Sequence, residues 1–193
     1  MKVKLIAAID QELGLGVHGV MPWHAPKDLQ YFKDTTMGHF VVVGSKTIDS
    51  LIAKKRPIPA DQSFTPLDQP VLPGRVVIVL SRKDYVRDYL RLGCYVARSL
   101  EHALEMARTI QKEWHANAST SARESDIFIA GGGQVYREAL EKNVVEEMHL
   151  THIHNTYECD TYFPGWNTSE WDVTPHITGE DFNIDIMNRK VIT

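Results

Sequence analysis

Six apolar runs of strand length recur along the whole chain, and they constrain its fold more than any other feature. They are VKLIAAI (3–9), HFVVVG (39–44), RVVIVL (75–80), CYVA (94–97), DIFIA (126–130) and EMHLTHIH (147–154). Several are continuous β-branched or aliphatic runs without alternation, the pattern of strands covered on both faces. Helical patterns lie between them. In SLEHALEMARTIQKEWH, residues Leu100, Ala103, Leu104, Ala107, Ile110 and Trp114 form one apolar stripe, with Ser99 placed to cap the start. GGQVYREALEKN gives a shorter helix with Val135, Ala139 and Leu140 inward. Strands alternating with helices imply an α/β domain with a largely parallel sheet and right-handed crossovers. After Thr161 the helical pattern stops, and EWDVTPHI and NIDIMNRKVI read as an antiparallel pair at one edge.

The chain has 193 residues, 43% of them hydrophobic, enough for one well-packed domain over 1–193. Two stretches sustain neither period and are expected as loop insertions. Residues 53–73 hold five of the nine prolines, and residues 116–125 are small and polar. A net charge of -4 and a pI of about 6.1 give no electrostatic footprint for nucleic acid or an anionic membrane. No apolar run approaches the ~20 residues that span a bilayer, and the N-terminus turns acidic too early for a signal peptide. Cys94 and Cys159 belong to no CxxC motif and are expected to stay reduced, so the sequons at Asn117 and Asn167 carry little weight. The expectation is a cytoplasmic monomer.

Residues 14–24 read GLGVHGVMPWH, and Gly14, Gly16 and Gly19 fit G-x-G-x-x-G after a strand. A dinucleotide fingerprint demands a helix starting within the glycines and an acidic residue ending a second strand about 20 residues on. Both conditions fail. Pro22 disfavours a helical Met21, the next helix begins near Pro26, and Asp34 lies inside that helix. The stretch reads instead as a glycine-rich loop carrying Met21 and Trp23. It is either an ordinary surface loop with a buried Trp or a lid that closes over a ligand.

In the following helix Asp28 occupies the first turn and shares a face with Phe32 and Thr35. A first-turn Asp ordinarily complements the helix dipole. Among apolar neighbours in a cleft it would instead bind the amino and ring N–H groups of a planar ligand, its pKa raised by desolvation. The triple glycine 131–133 follows a strand and opens a helix, as a tight turn or a phosphate cradle. His149, His152 and His154 complete no metal set, and no Ser-His-Asp arrangement is legible.

LIAAIDQELGLGVHGVMPWHAPKDLQYFKDTTMGHFVVVGSKT resembles the N-terminal signature of dihydrofolate reductases. LPGRVVIVLSR (72–82), IAGGGQVYREAL (129–140), LTHI (150–153) and DTYFP (160–164) continue the likeness in the family's order. The resemblance implies the dihydrofolate-reductase-like α/β fold: an eight-stranded, mostly parallel sheet, four helices and an antiparallel C-terminal hairpin. It also implies NADPH as cofactor and dihydrofolate as substrate.

Carried onto this chain, the resemblance makes Asp28 the partner of the pterin 2-amino group and N3, supported by Thr151. Ile6, Leu29, Phe32, Ser50, Leu51 and Leu72 would line the substrate pocket. Arg75 would clamp the α-carboxylate of the glutamate tail. Met21 and Trp23 would belong to the closing loop, with Trp23 near an ordered water. On the cofactor side, Ala8 would meet the nicotinamide carboxamide. The loop Gly14, Leu15, Gly16, Val17, His18, Gly19 and Val20 would cover its ribose. Lys46 and Thr47 would open one helix against the pyrophosphate. Gly131, Gly132, Gly133, Gln134 and Val135 would open another, with Tyr136 near the nicotinamide. Ser81 and Arg82 would bind the 2′-phosphate, and Arg98 would flank the adenine.

The chain departs from the family's common pattern at three neighbouring positions. Ser45 stands where an Arg is frequent, Ile48 where an aromatic is frequent, and Ala130 where a larger aliphatic is usual. Two other readings compete: a same-fold reductase of a ribosylated pyrimidine, and a non-catalytic NADPH- or folate-binding module. Asp28 and Arg75 speak against the first, and the paired substrate and cofactor sets against the second.

Overall fold

A computed structural model describes residues 1–55, 70–83, 89–90, 92–117 and 124–191. Strands β1 (Val3–Ile9), β3 (Phe40–Gly44), β4 (Val76–Leu80), β5 (Tyr95–Ala97), β6 (Ile127–Ile129), β7 (Glu147–Ile153), β9 (Trp171–Thr178) and β10 (Phe182–Arg189) build one sheet. Its order is β5-β4-β3-β6-β1-β7-β10-β9. The pairings from β5 through to β7 are parallel, and β10 runs antiparallel to both β7 and β9. Thus the six apolar runs become the parallel strands, and the C-terminal pair forms the expected edge hairpin. A small ribbon joins β2 (Gly14–Gly16) to β8 (Thr161–Tyr162).

The described helices are α1 (Pro26–Thr36), α2 (Ser45–Lys55), α3 (Leu100–Asn117) and α4 (Gly133–Glu141), besides a 3-10 turn at Thr168–Glu170. Pro26 occupies the first turn of α1, where its missing N–H costs nothing. Ser99 Oγ accepts from His102 N at 3.2 Å and caps α3. None of these helices is long and apolar enough to cross a membrane.

Alternation along the strands distributes the core between two faces. Ile78 of β4 joins Leu100, Ala103, Leu104 and Ala107 of α3, while Val77 and Val79 join Ile48 of α2 and Leu92. Ile48 has no exposed surface, which accounts for an aliphatic residue at that position. Each buried Val, Leu or Ile side chain here contributes about 1.5–3 kcal/mol by leaving water, and each Ala less.

Three sequence expectations are corrected. Helix α2 runs on through residues 53–55 and α3 through 116–117, so both insertions begin later than composition suggests. The rest of those insertions includes residues 56–69 and 118–123, which lie outside the described residues. Trp114 is not inward: it is 42% exposed, with one ring face stacked on Phe40 at 5.5 Å. One face of so large a ring is covered while the other stays wet.

Candidate active site

Parallel strands leave their C-terminal ends, and the helix N-termini that follow them, along one rim of the sheet, where α/β domains bind ligands. Here Ala8 of β1, Gly44 of β3, Leu80 of β4 and Ala130, just after β6, line a cleft of about 1370 Å³. The first turns of α2 and α4 open onto it, with Ser45, Lys46 and Thr47 from one and Gly133, Gln134, Val135 and Tyr136 from the other. Their free backbone N–H groups and dipoles favour an anion there. Arg82, Lys83 and Arg98 make one end of the cleft basic, beside Ser81. Lys83 was not singled out in the sequence; the Arg82–Lys83 doublet was its only signal. Lys83 Nζ lies 3.1 Å from Asp49 Oδ2, and its carbonyl accepts from Arg98 at 2.9 Å.

The glycines of the cleft are fitted to their neighbours. Gly131 has φ +105°, and a Cβ there would meet Tyr136 Oη at 3.1 Å. A Cβ on Gly132 would lie 3.0 Å from Thr47 Oγ1, and one on Gly133 3.0 Å from the Tyr162 carbonyl. Bare backbone therefore lines the space between the two helix N-termini. Tyr136 is buried and donates to the Ile6 carbonyl at 2.8 Å, which pushes no proton into the cleft because burial raises its pKa strongly.

The 14–24 stretch forms ribbon and loop, with no helix among the glycines. Leu15, Gly16, Gly19, Val20 and Met21 line the cleft. Gly14, Val17 and His18 do not. A Cβ on Gly14 would fall 2.6 Å from Cys159 Sγ and 2.8 Å from Asp10 Oδ2, so that residue packs the ribbon's back. Val17 bridges Val20 across the loop tip, and His18 N donates to Asp160 Oδ2 at 2.8 Å. Ser50 Oγ of α2 donates to the Gly19 carbonyl at 2.5 Å and ties the loop to the opposite wall.

Beside the loop, Met21, Trp23, His24, Ala25, Asp28 and Leu29 enclose a smaller space of about 170 Å³. Asp28 is only 7% exposed although it sits in a helix's first turn, so it does not simply face solvent along the dipole. Thr151 Oγ1 of β7 donates to Asp28 Oδ1 at 2.6 Å. Burial raises the Asp28 pKa, and the Thr151 bond offsets part of that rise. Trp23 is buried against Tyr157 at 5.5 Å, and its Nε1 has no hydrogen-bond partner among the described residues. Met21 and Leu29 are exposed beside it, Leu29 by 51%.

Arg75 lies at the far end of α1. Its Nη1 donates to Thr36 Oγ1 at 3.3 Å and its Nε to the Pro73 carbonyl at 3.1 Å. Thr36 stands at i+8 from Asp28 along the helix, a rise of roughly 12 Å. A buried carboxylate and a guanidinium thus mark the two ends of one helix. Phe32 lies between them in sequence, half-buried, while Leu51 and Leu72 pack on the cluster around Ile48 and Val71.

Two of the strand histidines are hydrogen-bonded, His149 with Tyr31 and Glu147 and His154 with Asn183, while the buried His152 Nε2 lies 3.4 Å from Asp185 Oδ2 without a hydrogen bond. Burial lifts the Cys94 thiol to about 11. Among the described residues no group of three or more His, Cys, Asp or Glu could hold a metal ion.

A parallel-sheet rim with paired helix N-termini, a basic end and an adjoining desolvated carboxylate defines the class: an α/β domain with an anion-favouring cleft along its sheet rim. The sequence model of the family described as dihydrofolate reductase matches residues 2–190, and the chain belongs to that family. A dihydrofolate reductase of Neisseria meningitidis is 32% identical over 171 residues, covering 89% of this chain and 84% of its own length. A bifunctional dihydrofolate reductase-thymidylate synthase of Zea mays is 31% identical over 168 residues, 83% of this chain. The chain spans only 28% of that relative's length. The solved dihydrofolate reductase of Enterococcus faecalis, complexed with NADP(H) and RAB-propyl, superposes with a TM-score of 0.70 at 26% identity, covering 98% of this chain and 97% of that one. NADPH-dependent reduction of dihydrofolate is the family's activity.

Proposed function

We propose that this chain reduces 7,8-dihydrofolate to 5,6,7,8-tetrahydrofolate with NADPH, supplying one-carbon metabolism. The observation that carries the reading is the buried Asp28, held by Thr151 next to the basic cleft, with Arg75 one helix length away. That spacing suits a substrate with a planar, protonatable head and an anionic tail.

The residues of the large cleft fit NADPH: bare glycine backbone and two helix N-termini for the pyrophosphate, and Ser81, Arg82 and Lys83 for the 2′-phosphate. When bound, the cofactor supplies a hydride from C4 of its nicotinamide to C6 of the pterin. Asp28 accepts from the 2-amino group and N3, orients the ring and raises the proton affinity of N5. Thr151 fixes the carboxylate oxygen that faces the strand. Trp23 Nε1 offers a donor to the water that carries the N5 proton, and Met21 with the 16–21 loop excludes bulk solvent. Ile6, Phe32, Leu29 and the α2 residues Ser50 and Leu51 flank the pterin and its aminobenzoyl group. The protein acts as a cytoplasmic monomer.

The decisive experiment follows NADPH absorbance on addition of dihydrofolate. Turnover abolished by Asp28→Asn supports the reading. NADPH binding without turnover favours a binding module, and turnover only of a ribosylated pyrimidine favours the other reductase.

A further inference from the structure

Strand β7 presents Glu147, His149 and Thr151 on one face, because side chains alternate along a strand. Two of them hold helix α1. Thr151 binds Asp28, and His149 Nδ1 lies 2.6 Å from Tyr31 Oη. Asp28 and Tyr31 stand at i and i+3 and so lie on one side of α1. The helix has no side-chain cap at its start, and these two bonds are its polar tethers to the strand.

The imidazole is held in one tautomer. His149 Nε2 is 2.7 Å from Glu147 Oε1, and the same oxygen is 2.9 Å from Lys4 Nζ of β1. Lys4 also meets Asp126, just before β6, at 3.1 Å. Those contacts hold the Glu147 carboxyl below its usual range, so it is an acceptor and the ring proton must sit on Nε2. Nδ1 is then an acceptor, and Tyr31 must donate to it. The groups facing the ring from neighbouring elements are Tyr31 of α1, Lys4 of β1, Phe128 of β6 and His176 of β9. Burial, Lys4 and His176 lower the His149 pKa against the pull of Glu147, which keeps the ring neutral.

We propose that His149 is a positioning residue for the pterin-binding carboxylate: through Tyr31 it sets helix α1 against β7, so that Asp28 stays in line with Thr151 and the bound ring. This rests on the role of Asp28 argued above. His149 and Glu147 touch neither ligand compartment. They act at one remove, and their sequence signature is the spacing Glu147-x-His149-x-Thr151 opposite Asp28-x-x-Tyr31.

The test compares Tyr31→Phe, His149→Leu, their double variant and His149→Gln in the full-length chain. Gln keeps one donor and one acceptor. The measurements are dihydrofolate and NADPH affinity by fluorescence titration, single-turnover hydride transfer and thermal midpoint. Tyr31→Phe and His149→Leu are each expected to slow hydride transfer and weaken dihydrofolate binding by about tenfold, with NADPH affinity unchanged. The double variant should be no worse than the worse single, and His149→Gln should recover most of the loss. The idea is overturned if folded Tyr31→Phe transfers hydride within twofold of wild type, if the losses multiply, or if NADPH affinity falls in parallel. A damaging Asp28→Asn beside a harmless Tyr31→Phe sinks this inference alone. A harmless Asp28→Asn sinks the reading of Asp28 itself.

Discussion

Thr151 Oγ1 reaches Asp28 Oδ1 across 2.6 Å, linking the central sheet to the first turn of α1 at a point shielded from water. A threonine hydroxyl offers one hydrogen, so the second carboxylate oxygen stays available to a ligand. The desolvation that makes the site useful also makes it costly.

Asp28→Asn is expected to cut dihydrofolate reduction at pH 7 by roughly 10²–10⁴-fold, with partial recovery at low pH as substrate arrives already protonated. Pre-steady-state hydride transfer across pH measures this. Equal rates for variant and wild type at neutral pH would refute the assignment.

The same substitution should stabilise the fold. The folded-state pKa of Asp28 is raised above the unfolded value, so the native state binds the proton more tightly. Wild-type stability therefore falls as pH rises from the ordinary carboxylate range through the folded value, and the cost is fully present at neutral pH. Asn removes that cost and keeps the acceptor for Thr151. Thermal melts should show a higher midpoint for the variant at neutral pH, by about 2–4 °C per kcal/mol recovered, and a difference that shrinks on acidification.

Gly132→Ala places a methyl 3.0 Å from Thr47 Oγ1 at the mouth of both helix N-termini. NADPH affinity should weaken by at least about tenfold, equivalent to 1.4 kcal/mol, while the thermal midpoint without ligand moves little. Isothermal titration with NADPH decides it, and unchanged affinity would move the phosphates elsewhere.

Arg75→Leu should raise KM for dihydrofolate by about 10–10²-fold and leave kcat nearly unchanged, because the tail clamp acts equally on ground and transition states. Folate lacking its glutamate should bind wild type and variant alike. A kcat loss equal to the KM change would place Arg75 at the reacting ring instead.

Ser50→Ala removes the 2.5 Å tether on the Gly19 carbonyl, at a residue whose φ of +77° suits glycine. The loop should open more readily. Ligand release, followed by stopped-flow fluorescence, should quicken several-fold with the hydride step preserved. Unaltered release would make the bond incidental.

Much of this was written locally. The six strands and the C-terminal hairpin follow from apolar runs, because a buried strand cannot disguise its composition. Pro22 and Pro26 were enough to separate the 14–24 loop from a dinucleotide fingerprint, since proline fixes φ wherever it stands. Composition misplaced the insertions' starts because residues 53–55 and 116–117 carry no apolar stripe, so the helical period gives out before the helices do. Trp114 was misread because periodicity reports a face, not how far the sheet extends beneath it. Gly14, Val17 and His18 share a motif with the cleft residues yet face away, because ribbon pairing turned them.

The sequence by itself determined the main strands, the glycine turn between β6 and α4 and the carboxylate in the first turn of α1, all of which depend on residue type over a few neighbours. The tertiary structure alone decided that Asp28 is buried against Thr151, 123 residues further on, and that His149 faces Tyr31. Those facts come from strand order and from which face each strand turns toward α1. Burial and partnership are properties of the packed sheet, and no local pattern encodes them.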